Sequence, residues 1–169
     1  MLVGHNGLED AVRLTRAMRA VSFAPRAWGS ILGGQTSVDY GHAVGRLPEN
    51  LLVTVAWSPA LGLPALSPLQ DRYLQRFGAR LDGPVAAGIT AVAVISDALE
   101  RGRSADRLAL RAAVAASDLT TTSPLCLQPR GVKFLANGDN GRAASLVLAV
   151  RDGVLQPAVS QAERSSRRP

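Results

Sequence analysis

The sequence predicts an α/β fold, layered around a mostly parallel sheet and closed by C-terminal antiparallel strands. Three observations carry that expectation. Short apolar stretches alternate with helix-patterned ones from residue 8 to residue 116, the order that lays helices on a sheet through right-handed crossovers. Leu51 to Trp57 (LLVTVAW) is a β-branched apolar run with no long polar face, as suits a central strand covered on both sides. Gly131 to Val159 then breaks the alternation. Its apolar segments, Val132 with Phe134 and then Ala144 to Val150, are short enough to be strands. Asn137-Gly138 and Asp152-Gly153 stand where a strand must reverse, because Gly accepts positive φ freely and Asn or Asp tolerates it. This stretch reads as consecutive antiparallel strands.

Taken in order, Leu8, Ala11, Thr15 and Met18 share one helical face, with Leu14 and Val21 at its margin and Arg13, Arg16 and Arg19 away from it. The helix they predict starts after His5-Asn6-Gly7, where Asn6 is placed to cap it, and ends at Phe23-Ala24-Pro25. Ala27 to Leu32 reads as a short strand stopped by Gly33-Gly34, and Ser37 is placed to cap a short helix through Val44. At Ser58 the composition shifts. Three prolines in SPALGLPALSP interrupt regular structure and mark a linker or a long surface crossing. Leu69 to Phe77 resumes as a helix ended by Gly78. Asp82-Gly83-Pro84 opens the next, since Pro near the first helical position loses no bond. There Val85, Ile89, Val92, Ile95 and Leu99 recur at helical spacing among alanines, which predicts a largely buried helix closed by Arg101-Gly102-Arg103. Ser104 is placed to cap a further helix through about Ala116, with Leu108 and Val114 among its apolar positions. Leu119 to Gln128 reads as irregular or a short strand, and the tail SQAERSSRRP as mobile.

The chain has 169 residues, 47% of them hydrophobic, with a mean hydropathy of +0.10, enough for one core or for parts of two. The longest apolar run, Val85 to Ile95, is broken by Gly88 and Thr90 and falls short of the roughly 20 residues that cross a bilayer. MLVGHNGLED lacks the basic and apolar regions of an export signal. Cys126 is the single cysteine; it excludes an internal disulfide or a CxxC motif and reads as a small buried apolar residue. A net charge of +6 invites a nucleic-acid reading, but Lys133 is the only lysine and the arginines are scattered, some at helical spacing from carboxylates, as Arg13 is from Glu9 and Asp10. Aromatic residues make up 4% and do not interleave with basic ones, so stacking on bases has no support. His5 and His42 are the only histidines, and no HExxH, GxSxG or Walker sequence occurs. Asp39 and His42 fit a helix surface. No catalytic residue, metal site or cofactor is expected, and the chain reads as a non-enzyme.

In this order and spacing, five stretches resemble the C-terminal half of the type I periplasmic binding proteins, in the branch that binds leucine, isoleucine and valine for ABC transporters. They are Gly4 to Leu14 (GHNGLEDAVRL), Phe23 to Gly34 (FAPRAWGSILGG), Gly45 to Pro59, Pro84 to Leu99 (PVAAGITAVAVISDAL) and Gly131 to Val159. The last is the most specific, because the family commonly follows Gly-x-x-Phe with a turn ending in Gly-Asp and then two strands separated by Asp-Gly. The resemblance implies Rossmann-like layers in two lobes joined by three crossovers, with ligand captured between them by closure about a hinge and the closed form presented to an ABC permease. Residues 1–57 would be part of the second lobe, 58–141 part of the first, 142–159 strands returning to the second, and 160–169 the tail.

On that reading most of the first lobe is missing, and the sheet edge so exposed implies a chain that needs a partner, oligomerises or misfolds. The ligand would be a branched-chain amino acid or a related small amide. His5 and Asn6 match a turn that contributes side chains to the cleft, while the plainer reading leaves Asn6 a cap and His5 a surface residue. Gly34 and Gln35 follow a strand where the family places a polar or acidic residue to meet the ligand ammonium. Gln35 carries no charge, and a glycine turn with a surface glutamine fits the same letters. Ile89 stands near a position that is often tyrosine in the family. Trp57 fits hinge packing better than the cleft. The intact family member would be periplasmic or lipid-anchored, and this chain as it stands cytoplasmic. A cytoplasmic amino-acid or amide sensor of the same fold, and a non-binding truncated remnant, are the alternatives. No nucleic acid and no membrane span enter either reading.

Overall fold

The structure, a computed structural model, describes residues 2–4, 7–31, 33–63 and 66–158. The elements run β1 (Leu2–Gly4), α1 (Leu8–Ala20), β2 (Trp28–Ile31), α2 (Val38–Val44), β3 (Leu51–Val55), α3 (Leu66–Phe77), α4 (Gly83–Gly102), α5 (Arg107–Ala115), β4 (Asp118–Leu119), β5 (Val132–Lys133), β6 (Leu146–Arg151) and β7 (Val154–Pro157), with short 3-10 turns at Gly34–Thr36 and Pro59–Leu61. The chain forms two compact units: Met1–Val55 with Ser145–Pro169, and Ala56–Ala144.

The first unit holds a five-stranded sheet in the order β1-β2-β3-β6-β7. β1, β2 and β3 are parallel, and β6 and β7 add antiparallel at the far side, which is the mixed α/β sheet the sequence predicts. Parallel pairing sets Trp28 beside Leu51 and Ser30 beside Val53; antiparallel pairing sets Val53 beside Leu148 and Val55 beside Leu146. One face of the sheet is therefore a continuous buried layer of Trp28, Leu51, Val53, Val55, Leu146, Leu148 and Val150. Fully burying a side chain such as Leu51 is worth about 1.5–3 kcal/mol. α1 buries Ala11, Thr15 and Met18, the face its periodicity predicts, and α2 buries Tyr40 and Val44. The two helices are tied where Arg16 donates to the Ala43 carbonyl at 2.9 Å and Arg19 to the Val44 carbonyl at 2.6 Å.

The first strand escapes the sequence reading, because three residues show no periodicity. The expectation that Leu51 to Trp57 is covered on both sides is also corrected. β3 alternates, with Leu52 42% exposed, and Ile31 and Val147 are exposed as well. A β-branched run shows that a strand is apolar, not whether both faces are covered. Gly7 occupies the cap position of α1, with no side-chain cap among the described residues; Asn6, expected to cap it, lies outside them. Ser37 caps α2 as expected, accepting from the Asp39 N–H at 3.3 Å. Asp152 and Gly153, both at positive φ, turn β6 into β7 as the Asp-Gly pair predicts.

In the second unit, Trp57 packs into a core with Leu63, Leu66, Leu81, Ala86 and Leu127, against which Tyr73, Val85 and Ile89 also lie. A second cluster joins Ala93, Val94, Leu119, Cys126 and Val132. Asp82 caps α4 through the Val85 N–H at 2.9 Å, with Pro84 in the first turn, as predicted. The buried face of α4 is another matter. Ala86, Thr90, Ala93, Val94 and Ala98 are buried, while Val92, Ile95 and Leu99 are 60%, 48% and 39% exposed. The stripe the largest side chains suggested holds at Val85 and Ile89, which pack against the core, and fails beyond them, because alanines let the rest of the helix approach its neighbours closely and the sequence gives them little weight. At 20 residues α4 is also long and apolar enough, by length and composition only, to cross a membrane, contrary to the shorter run counted above. Asp106 and not Ser104 caps α5, accepting from Leu108 and Ala109. Leu108, one of its apolar positions, is exposed.

The closing stretch is not one continuous meander. β5 pairs antiparallel with β4, Asp118 beside Lys133, while β6 pairs with β3. Between them Phe134 bridges Asn140 around a turn with Gly138 at φ +90°. The Asn140 carboxamide oxygen accepts from the Lys133 and Arg142 N–H groups. These local bonds occupy the backbone that a longer hairpin would need. The tail from residue 159 lies outside the described residues.

Candidate ligand-binding site

In parallel α/β sheets ligands gather at the carboxyl ends of the strands. In the first unit that edge is formed by the segment after β1, which leads through Gly7 into α1, and by Gly33–Thr36 after β2. The two segments touch. A Cβ added at Gly34 would lie 2.5 Å from the Gly7 carbonyl carbon and from Leu8 Cα, so only glycine permits the approach. Gly34 is thus a packing residue, placed beside the start of α1. His5 and Asn6 lie outside the described residues, between Gly4 and Gly7.

Gln35 is 0% exposed, where a surface glutamine was the plainer expectation. Its Oε1 accepts from the Ser30 hydroxyl at 2.8 Å, and its Nε2 has no hydrogen-bond partner among the described residues. Leaving a buried amide donor unsatisfied costs about 1–3 kcal/mol. Ser30 is an inward residue of β2, so the strand's alternation fixes the amide beneath the turn. A serine hydroxyl both donates and accepts, so the amide can reverse without losing Ser30 and present either its N–H or its carbonyl. Thr36 closes the turn by donating to the Gly33 carbonyl at 2.8 Å. No charged side chain lies within Gly33–Thr36. The Gln35 amide can orient a neutral amide or donate to a carboxylate, and Gly33–Thr36 offers no ion pair to an ammonium group.

The other residues singled out by sequence lie elsewhere. Trp57 and Ile89 belong to the core of the second unit. Asp39 and His42 are exposed on α2. Cys126 is fully buried, and burial pushes its thiol pKa up. Among the described residues no three His, Cys, Asp or Glu side chains come together in a metal-binding group. The Ser30–Gln35 pair was missed as a unit; inward alternation along Trp28-Gly29-Ser30 was the signal that could have found it.

No protein-family model matches the sequence, and no curated protein matches it. Solved structures do. The chain is similar to a leucine binding protein, LivK, from Thermotoga maritima, with a TM-score of 0.71 and 20% identity over 93% of this chain and 42% of that one. It is similar to the branched-chain amino acid transporter substrate binding protein LivJ of Streptococcus pneumoniae, in complex with isoleucine, with a TM-score of 0.69 and 10% identity over 90% and 41%. A solute binding protein of an ABC transporter from R. palustris, in complex with benzoate, matches with a TM-score of 0.66 and 16% identity over 89% and 41%. These neighbours are substrate-binding proteins and not enzymes. The fold is that of the type I periplasmic binding proteins in part: the chain spans about two fifths of their length.

Proposed function

We propose that this chain supplies part of the substrate-binding receptor of an ABC transporter for branched-chain amino acids or related small amides. The observation that carries the reading is the likeness to LivK over 93% of the chain, which includes both units rather than one generic sheet. The resemblance in Gly4–Leu14, Phe23–Gly34 and Gly131–Val159 supports it independently.

In this reading Gln35, held by Ser30, contacts the ligand's polar end, and His5 and Asn6 join it from the turn before α1. An amide in place of an acid weakens the hold on an α-amino group and favours ligands with a neutral amide or a carboxylate. Enclosure of Gln35 means that segment 33–36 must part for the contact to form. The receptor would be periplasmic or lipid-anchored and would present its ligand to a permease. Isothermal titration of the purified chain with leucine, isoleucine, leucinamide and benzoate tests this. Heat of binding lost in Gln35→Ala supports the reading. Absence of binding by all four, from a chain that melts cooperatively, overturns it.

A further inference from the structure

Beside the face it buries, α4 carries an exposed apolar strip. Gly88, Val92, Ile95 and Leu99 lie along it, the last three 60%, 48% and 39% exposed. Their spacing of four, three and four residues is that of the apolar seam between two paired helices. The exposed residues that flank the seam, Pro84, Ala87, Ala91 and Ser96, carry no charge. An uninterrupted apolar strip about three turns long marks an interaction surface rather than a solvated face.

The strip is graded along the helix. Ala87, Gly88 and Ala91 make its amino-terminal half small, and Val92, Ile95 and Leu99 make its carboxyl-terminal half large. Gly88 has no use within the chain: a Cβ added there meets nothing within 4 Å, and glycine inside a helix costs stability relative to alanine. What it provides is a notch. A second copy of α4 laid antiparallel on the first fills that notch, with Leu99 of one copy over Gly88 of the other and Val92 against Ile95, and the two-fold axis repeats both pairs. A parallel pair would set Gly88 on Gly88 and Leu99 on Leu99, a gap at one level and crowding at another. Charge selects the same direction. Asp82 precedes the helix and the exposed Arg103 follows it, so the antiparallel pair brings opposite charges level at both ends and the parallel pair brings like charges together.

We propose that the chain associates with a second copy of itself through α4, the two helices packing antiparallel along Gly88, Val92, Ile95 and Leu99. The contact is remote from Gly33–Thr36 in the sequence and does not rest on the transport reading. One helix from each copy makes a small interface beside the roughly 1,200–2,000 Å² of stable pairs, so dimers are expected at about 10 μM and above, with the strip exposed below that.

Sedimentation equilibrium of the full chain, from about 1 μM to about 1 mM, tests this. The mass is expected to rise toward twice 17.7 kDa. Gly88→Leu fills the notch from a position open to solvent. It should weaken the dimer at least about tenfold, as loss of a central interface contact does, while the melt at low concentration stays cooperative. Adding Leu99→Ala exchanges the large and small ends and should restore association. A spin label on Glu100→Cys, mixed with isotope-labelled natural chain, reads the direction: an antiparallel pair broadens amides near Ala87 of the other copy, a parallel pair those near Glu100. Cys126 is buried and escapes the label. Phosphatidylcholine vesicles probe the other occupant that the length and composition of α4 allow. A single-chain mass at every concentration, undiminished association of Gly88→Leu, no recovery in the double variant, broadening near Glu100, or vesicle binding by a chain that stays monomeric in solution would each overturn the proposal.

Discussion

Thr15 Oγ1 and the Tyr40 hydroxyl lie 2.7 Å apart and join α1 to α2 where both side chains are buried. Thr15 spends its one proton on the Ala11 carbonyl, also at 2.7 Å, so Tyr40 is the donor in the shared bond. Tyr40→Phe removes that donor and leaves only an unfilled lone pair, a cost of about 1 kcal/mol. Thr15→Val leaves the buried phenol without an acceptor and should cost more, about 1–3 kcal/mol. Urea unfolding of both variants checks the order.

The same pair sets a pH dependence. Burial pushes the Tyr40 hydroxyl above its ordinary pKa, against the opposing effects of its bond to Thr15 and the charge of Arg19. The unfolded chain then ionises first. The contribution is fully present below the ordinary tyrosine value of about 10 and is lost as pH rises through the folded value. Urea midpoints between about pH 8 and 11 should fall more steeply in the natural chain than in Tyr40→Phe.

Gly34 and Gly131 test the two units separately. Gly34→Ala drives a methyl into the backbone of Gly7 and Leu8, and Gly131→Ala places one against Leu119 at a φ of +88°. Neither neighbour is a flexible side-chain end, so each substitution should cost at least the 1–3 kcal/mol typical of overpacking. Hydrogen exchange should report faster opening chiefly in the unit that carries the change.

On α4, Val94→Ala should destabilise by roughly 1.5 kcal/mol, since two methyl groups leave a buried site at about 0.8 kcal/mol each. Val92→Ala, on the exposed stripe, should stay within about 0.5 kcal/mol. Thermal melts of the pair distinguish the two faces.

Asp118 ties β4 to β5 and the chain beyond, through Lys133 at 2.9 Å and Arg142 at 2.6 Å. Its bonds to Lys133 and then Arg142 hold the carboxyl below its ordinary pKa. That contribution is present above the unfolded value of about 3.9 and is lost as pH falls through the folded one. Asp118→Asn should flatten the acid limb of the thermal-melt profile, and salt should do so in part, as it screens exposed pairs.

The parts of this fold that were legible in the sequence are those fixed by local chemistry. Thr15 and Met18 followed from helical period, Asp82-Gly83-Pro84 from cap chemistry, and Asp152-Gly153 from turn chemistry. The parts that misled depend on neighbours distant in sequence. Leu52 and Val92 are apolar enough for a core, and only tertiary packing decides that they stay exposed. β5 reads as a partner for β6 until β4, across the Thr120–Arg130 loop, competes for it. At the candidate site the turn position of Gln35 was legible, but its enclosure was not. Its bond to Ser30, an inward residue of β2, was open to a reading of the alternation along Trp28-Gly29-Ser30, but the packing that encloses the amide was not.

The most direct test of the transport reading is an amide correlation spectrum of the chain titrated with leucine, leucinamide and benzoate, with the Gln35 side-chain amide assigned through Gln35→Ala. The account predicts a dispersed spectrum in which the Gln35 amide and the backbone of Gly33 to Thr36 shift together as one of these ligands is added. A dispersed spectrum in which those signals stay fixed for all three would contradict it.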